Sequence, residues 1–287
     1  LQNDTYGATS VAVGSDALIT QNFTTATNVY STAVGYNAGN DITVGIRNTL
    51  IGALAGDALT DADYNVAVGM HSLGTDTLGS KSTAVGTDAL ATQNFTTATD
   101  AHNVGVGYAA GAAVTTGAQN TLIGSQAGDA VTTGYENTAL GTNALGADTL
   151  GSRTTALGRG ALMAQNFTTA TEAHNVAVGV YTGGGLTVGI KNTLVGNLAG
   201  DALTDADFNV AMGYGALSTD TLGSKSVALG YAALNTQNFT TATASFNTAV
   251  GHEAGTAVTT GTENTLIGTF AGDATTTGDN NTFVGAD

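Results

Sequence analysis

A five-residue pattern (a polar residue, Thr or Val, a small residue, an aliphatic residue, Gly) recurs sixteen times along the chain. Its glycines are Gly14, Gly35, Gly52, Gly69, Gly86, Gly107, Gly124, Gly141, Gly158, Gly179, Gly196, Gly213, Gly230, Gly251, Gly268 and Gly285. The intervals run 21, 17, 17, 17 and then begin again, so four of them make a super-repeat of 72 residues, as from Gly14 to Gly86. The super-repeats cover about 10–81, 82–153, 154–225 and 226–287, and GDALTDADYNVAVG at 56–69 returns as GDALTDADFNVAMG at 200–213. A fixed short period of this kind marks a solenoid, in which each repeat stacks on its neighbours.

Within the motif the residue before Gly is aliphatic and the residue two earlier is Val or Thr, an alternation that predicts a short strand with these two on one side. The position between them is Ala or Gly except for Leu50, Leu122, Leu194, Leu266 and Phe283, and this small-or-Leu face is expected to want a neighbour. The polar position, Asn in eleven copies, Ser in four and Thr154 in one, predicts a corner where side chains bond the backbone of their own coil and the next. Gly follows as a corner of positive φ or close backbone approach. Ala stands three residues later in nearly every coil, as a narrow core requires.

Seventeen residues are too few for a strand and a packed helix, and the connecting segments carry no 3.6-residue period. The expectation is an all-β, parallel β-solenoid of sixteen coils, each with two short strands and two turns, forming a single domain over 1–287. At the usual strand spacing sixteen coils would stack to a rod of about 75 Å. The chain begins and stops inside the pattern, so a segment of a longer protein is expected.

Composition narrows the function. Twenty-two acidic and six basic residues give a net charge of −16, which repels phosphate backbones and anionic membranes, so nucleic-acid binding is not expected. There is no Cys for a disulfide or thiolate site, and no apolar run long enough to insert in a membrane. LGSKS at 78–82 lacks the Gly-Lys step of a phosphate loop, and no Ser/His/Asp set stands apart from the repeat, so no enzyme is expected.

The pattern in STAVGYNA at 31–38 and NTAVGHEA at 247–254 resembles the head repeats of trimeric autotransporter adhesins and the related repeats of bacteriophage tail fibres and endosialidase-chaperone-type surface proteins. The resemblance covers essentially the whole chain, although the adhesin repeat is shorter than 17 residues and lacks the periodic 21-residue coil. It implies a left-handed parallel β-roll, a homotrimer, an extracellular, cell-surface or virion location, and a structural or adhesive fibre for surface attachment. The alternatives are a purely structural extracellular filament subunit and an ice-binding solenoid, the latter requiring Thr-x-Thr on one flat face.

Several residues are candidates for recognition or modification. The 21-residue coils carry QNFTTAT four times, with Gln21, Phe23 and Thr24; Gln93, Phe95 and Thr96; Gln165, Phe167 and Thr168; and Gln237, Phe239 and Thr240. These are either structural plugs or outward loops that offer aromatic and Thr side chains to a host glycan or receptor. The same loops hold N-x-T sequons at Asn22, Asn94, Asn166 and Asn238, which are glycosylation acceptors in a glycosylating secretory host and turn residues otherwise. Asp61, Asp63 and Asn65, repeated as Asp205, Asp207 and Asn209, have the alternating oxygens that open a calcium loop, but no Gly or closing Glu follows; the competing reading is a solvated corner, and otherwise no cofactor is expected. His102 and His174 occupy equivalent positions and would cluster on a threefold axis.

Overall fold

The computed structural model describes Leu1 and residues 3–286. Every described element is a strand, and the sixteen three-residue motif strands run parallel in one sheet, in chain order, as a β-solenoid. Two compact units divide the chain: residues 1–137 hold the strands from Val11–Val13 to Thr121–Ile123, and residues 138–287 those from Thr138–Leu140 to Thr282–Val284. Register follows the motif, with Thr193, Leu194 and Val195 opposite Val210, Ala211 and Met212.

The faces of this strand are the reverse of a core built on the aliphatic pair. The middle residues, Ala33, Leu50, Ala67 and their equivalents, are buried between the walls of the coil except at the two ends of the stack, where Ala12 is half-buried and Phe283 exposed. The flanking Thr or Val and the aliphatic residue before Gly point outward and stay half-buried or exposed, as for Ile51 and Met212. The coil is too thin for larger residues at every middle position, and where Leu enters the opposite wall gives way. Leu50 fits because Gly39 and Gly56 face it, and a Cβ on either would lie 2.7 and 2.8 Å from its methyls. In seven of the ten coils whose middle residue is Ala, the opposite wall supplies the bulk from Leu18, Leu73, Leu90, Leu145, Leu162, Leu217 or Leu234; in the coils of Ala33, Ala177 and Ala249 that place is Gly, and the Leu of the next coil reaches over it. The Leu-for-Ala exchanges are thus one volume filled alternately from two sides, at the density that interiors require.

That opposite wall is not the second strand expected in each coil. It is a run of turns in which left-handed residues such as Leu54 (φ 58°), Leu198 (φ 59°) and Leu234 (φ 50°) alternate with ordinary ones, so it cannot be a ladder. Its backbone still bonds from coil to coil, as Gly200 N–H donates to Ala216 O (2.9 Å) and Leu217 N–H to Ala233 O (3.0 Å). Two-residue strands occur only where a 21-residue coil adds length, as at Gly223–Ser224 paired with Thr243–Ala244.

The motif Gly turns the corner with φ between 125° and 145°. At Gly230 a Cβ would lie 2.1 Å from the carbonyl oxygen of Gly251 in the next coil, so both conformation and closeness exclude a side chain. Before the strand the polar residue runs inward as a ladder. Asn192 Nδ2 donates to Ala206 O (2.7 Å), while Asn192 Oδ1 accepts the N–H of Asn209 (2.9 Å) and Asn192 N–H donates to Asn175 Oδ1 (2.9 Å). Ser serves more weakly, as Ser31 Oγ accepts Asn48 N–H at 3.2 Å.

Candidate functional site

The repeated loop of the 21-residue coil is anchored by a buried polar knot. Asp220 Oδ1 accepts the N–H of Gly223 and of Phe239 (both 3.0 Å), and its Oδ2 accepts Gln237 Nε2 (2.6 Å). Gln237 Nε2 also donates to Ser226 Oγ (2.9 Å), and Gln237 Oε1 accepts Asn247 Nδ2 (2.8 Å), which ties the knot into the Asn ladder. The same set recurs around Asp148 with Gln165 and Asn175, and around Asp76 with Gln93 and Asn103. Four extra residues would otherwise leave backbone donors of the widened coil without partners, and the carboxylate collects them.

This placement differs from the outward-loop reading. Gln21, Gln93, Gln165 and Gln237 are fully buried, and Phe23, Phe95, Phe167 and Phe239 are buried to within 5–6% exposure, so the aromatic rings are not offered to solvent. A widened coil opens a gap that a ring fills, which explains why Q-N-F recurs with so little change. Thr24, Thr96, Thr168 and Thr240 are exposed and remain the outward part of each loop. Of the sequon residues, Asn22 and Asn166 are exposed and Asn94 and Asn238 half-buried, each accepting a hydroxyl from the Thr of the preceding coil, as from Thr149 (3.0 Å) to Asn166. The Asp partner was missed in the sequence, yet D-T-L-G at Asp76, Asp148 and Asp220 recurs with the 72-residue period of the loop itself.

The calcium candidates are drawn apart. Asn65 and Asn209 are buried ladder members that donate to Gly79 O and Gly223 O (both 2.9 Å). Asp63 and Asp207 accept the N–H of Ile46 and Ile190 (2.8 Å each), and Asp61 and Asp205 are exposed. The left-handed residue before each Asn, Tyr64 (φ 58°) or Phe208 (φ 60°), breaks the alternation and turns Asn inward while the Asp residues stay at the surface, so the oxygens do not converge, and among the described residues no group of three His, Cys, Asp or Glu is placed to hold a metal. Asp207 instead lines a shallow cleft of about 320 Å³ with Phe208, Ser224, Lys225 and Ala242–Ala244. His102 and His174 are exposed, and His174 Nε2 lies 3.5 Å from Glu172. The outward face of the motif strands carries an aliphatic residue at its second position, so Thr-x-Thr does not occur there.

Burial sets the carboxylate behaviour. Desolvation raises the pKa of Asp148 despite its bonds from Gln165, Phe167 and Gly151, and desolvation likewise raises Asp57, Asp63, Asp129 and Asp201. Asp57 and Asp201 each bury one carboxylate oxygen with no partner. Asp4 occupies the same knot nearer solvent; burial also desolvates it, but the bonds from Gln21 and the backbone outweigh this and lower its pKa. A raised folded-state pKa means that ionisation disfavours the fold: this stability is complete below the unfolded value of about 3.9 and is lost as pH rises through the folded value. Five such groups outnumber Asp4, and repulsion within a chain of charge −16 acts in the same direction. The midpoint of thermal unfolding is therefore expected to be higher at pH 4.5 than at pH 7.5, measured by calorimetry at low salt. A midpoint that falls on acidification would show that paired carboxylates dominate instead.

The outward surface has one concentration of apolar and basic groups. On both flanks of the exposed strand face stand aromatic residues, including Tyr64, Phe208 and Phe246 before it and Tyr108, Tyr214 and Tyr231 after it, all exposed. Five of the six basic residues, Arg47, Lys81, Arg153, Lys191 and Lys225, share the column before the polar motif residue. That column holds φ near +60°, as at Lys191 (58°) and Lys225 (63°). Lys191 lies over the Phe208 ring (5.2 Å) and Lys225 over the Phe246 ring (4.9 Å). On the other flank Tyr214, Tyr231 and His252 stack at 5.8 and 5.0 Å. No protein-family model matches the chain, and no curated protein matches it.

Proposed function

We propose that the chain is a length of structural fibre shaft, extracellular and displayed at a cell surface or on a virion, that assembles with copies of itself and serves surface attachment. One observation carries this reading: each coil spends its buried polar groups on the coil above and below, so the repeat builds extent and presents outward columns, with recognition left to exposed side chains. The motif's resemblance to adhesin-head and tail-fibre repeats supports the same reading, and it points to a homotrimer. The chemistry of attachment rests on the Thr side chains of the four loops and on glycans or receptors that multiple weak contacts can hold.

The test is attachment of the purified, fluorescently labelled protein to candidate host cells and to a glycan array. Binding that drops when Thr24, Thr96, Thr168 and Thr240 are replaced together by Ala supports adhesion through the loops. A folded protein that binds neither cells nor glycans favours the second reading, a purely structural filament subunit, which the same outward columns would serve.

A further inference from the structure

We propose that the shallow cleft beside Phe208 and Lys225, at the step where a 21-residue coil widens the shaft, is a binding site for a neutral sugar. It rests on the reading of the chain as an attachment fibre and adds a place and a ligand class separate from the loop Thr side chains. The cleft, about 320 Å³, offers what a pyranose requires: an apolar platform with a few fixed polar groups. Phe208 is exposed and supplies the ring for the apolar side of the sugar. Asp207 Oδ1 accepts Ile190 N–H (2.8 Å), which fixes the carboxylate and leaves Oδ2 to accept from a hydroxyl. Ser224 Oγ accepts Asp207 N–H (2.9 Å) and keeps its own proton to donate, and Lys225 adds an ammonium beside it.

The two earlier copies of this step differ from it in one respect. Lys81 pairs with Asp100, and Arg153 with Glu172 (2.7 Å), so the base of each is already neutralised. The third copy has Ala244 in place of the acid, and among the described residues Lys225 carries no ion pair. Its ammonium lies over the ring of Phe246 (4.9 Å), where the other copies have His102 and His174, and its N–H donors stay available to a ligand. Charge then selects the class. One carboxylate and one ammonium line the cleft and balance, so it presents donors and acceptors without a net charge. A cation would meet Lys225, and an anion would meet Asp207 and a chain of charge −16, whereas a sugar hydroxyl both donates and accepts.

The experiment is a ligand-observed NMR titration of the full chain with the methyl glycosides of mannose, galactose and glucose, and with N-acetylneuraminic acid as the charged comparison. The proteins are the wild type, Phe208→Ala, Ala244→Asp, and Tyr64→Ala as a control at the equivalent ring two super-repeats earlier; circular dichroism checks that each is folded. At least one neutral glycoside is expected to bind with Kd on the order of 1 mM, to bind at least about tenfold more weakly to Phe208→Ala and to Ala244→Asp, and to bind Tyr64→Ala as it does the wild type. Ala244→Asp installs the residue that Asp100 already is in the first copy, so it keeps the test alive if Phe208→Ala fails to fold. Unchanged binding in either folded variant, binding of the charged sugar alone, or no binding to the wild type would overturn the cleft site. Attachment of the same wild-type protein to cells, measured in parallel, tests the attachment reading separately, since the loop Thr side chains would sustain it without the cleft.

Discussion

Replacing Gly230 by Ala is expected to cost several kcal/mol of stability, because two coils meet at this backbone position. Its φ of 141° lies outside the conformations that L side chains adopt, and the new Cβ would sit 2.1 Å from the carbonyl oxygen and 2.6 Å from the carbonyl carbon of Gly251. Those atoms are backbone, held by the bond from Gly251 N–H to Leu229 O (2.8 Å), so relief requires parting two coils. A loss above about 4 kcal/mol is expected, in the range reserved for forced backbone rearrangement. Coils contact only their neighbours, so urea unfolding should also lose its single transition as the stack divides at the substituted rung. Gly215→Ala is the control. It has φ 63°, in the left-handed region that Leu217 and Tyr181 also occupy (both 54°), and its Cβ would meet nothing nearer than 3.5 Å, so about 1 kcal/mol is expected. Equal losses at the two sites would contradict the close-approach explanation.

Asn192→Ala should come next in effect. It removes the donor to Ala206 O and the acceptor of Asn209 N–H, leaving two buried backbone groups without partners. At about 1–3 kcal/mol for each orphaned group, a loss of about 2–5 kcal/mol is expected in urea unfolding. Amide exchange adds a local signature: Asn209 should lose protection more than amides two coils away. Asn192→Ser should recover part of the loss, because Ser occupies this column at Ser31, Ser82 and Ser226. Uniform loss of protection across the unit, with no recovery by Ser, would show that the ladder is not what Asn192 supplies.

The period made the coil count, the parallel stacking and the roles of Asn and Gly readable, because one-dimensional stacking forces equivalent residues into equivalent places. What the period could not decide was which side of a three-residue strand faces in. Val and Ile are the more apolar residues, yet Ala33 and Leu50 are inside, because the opposite wall already supplies Leu18 and Ile42 and leaves room for little more. Reading the Leu and Gly exchanges of the two walls together would have shown this. The QNF loops were recognised as special, but their cause lay in Asp76, Asp148 and Asp220, whose partners are 17 residues away in sequence and adjacent only across coils. The outward columns were invisible for the same reason as the core: one residue of shift in facing exchanges surface for interior.

The most direct test of the account uses the absence of Cys from the sequence, which lets one introduced thiol report on one place. Val195→Cys on the outward face and Thr168→Cys on a loop would each be treated with a short bis-maleimide at micromolar protein and analysed under denaturing conditions. Linked chains from Val195→Cys and almost none from Thr168→Cys are predicted for a shaft whose copies meet along the uncharged outward columns of the motif strands. Equal linking at the two positions, or none at Val195→Cys in a protein that retains its β-sheet spectrum, would contradict the claim that this face joins the copies.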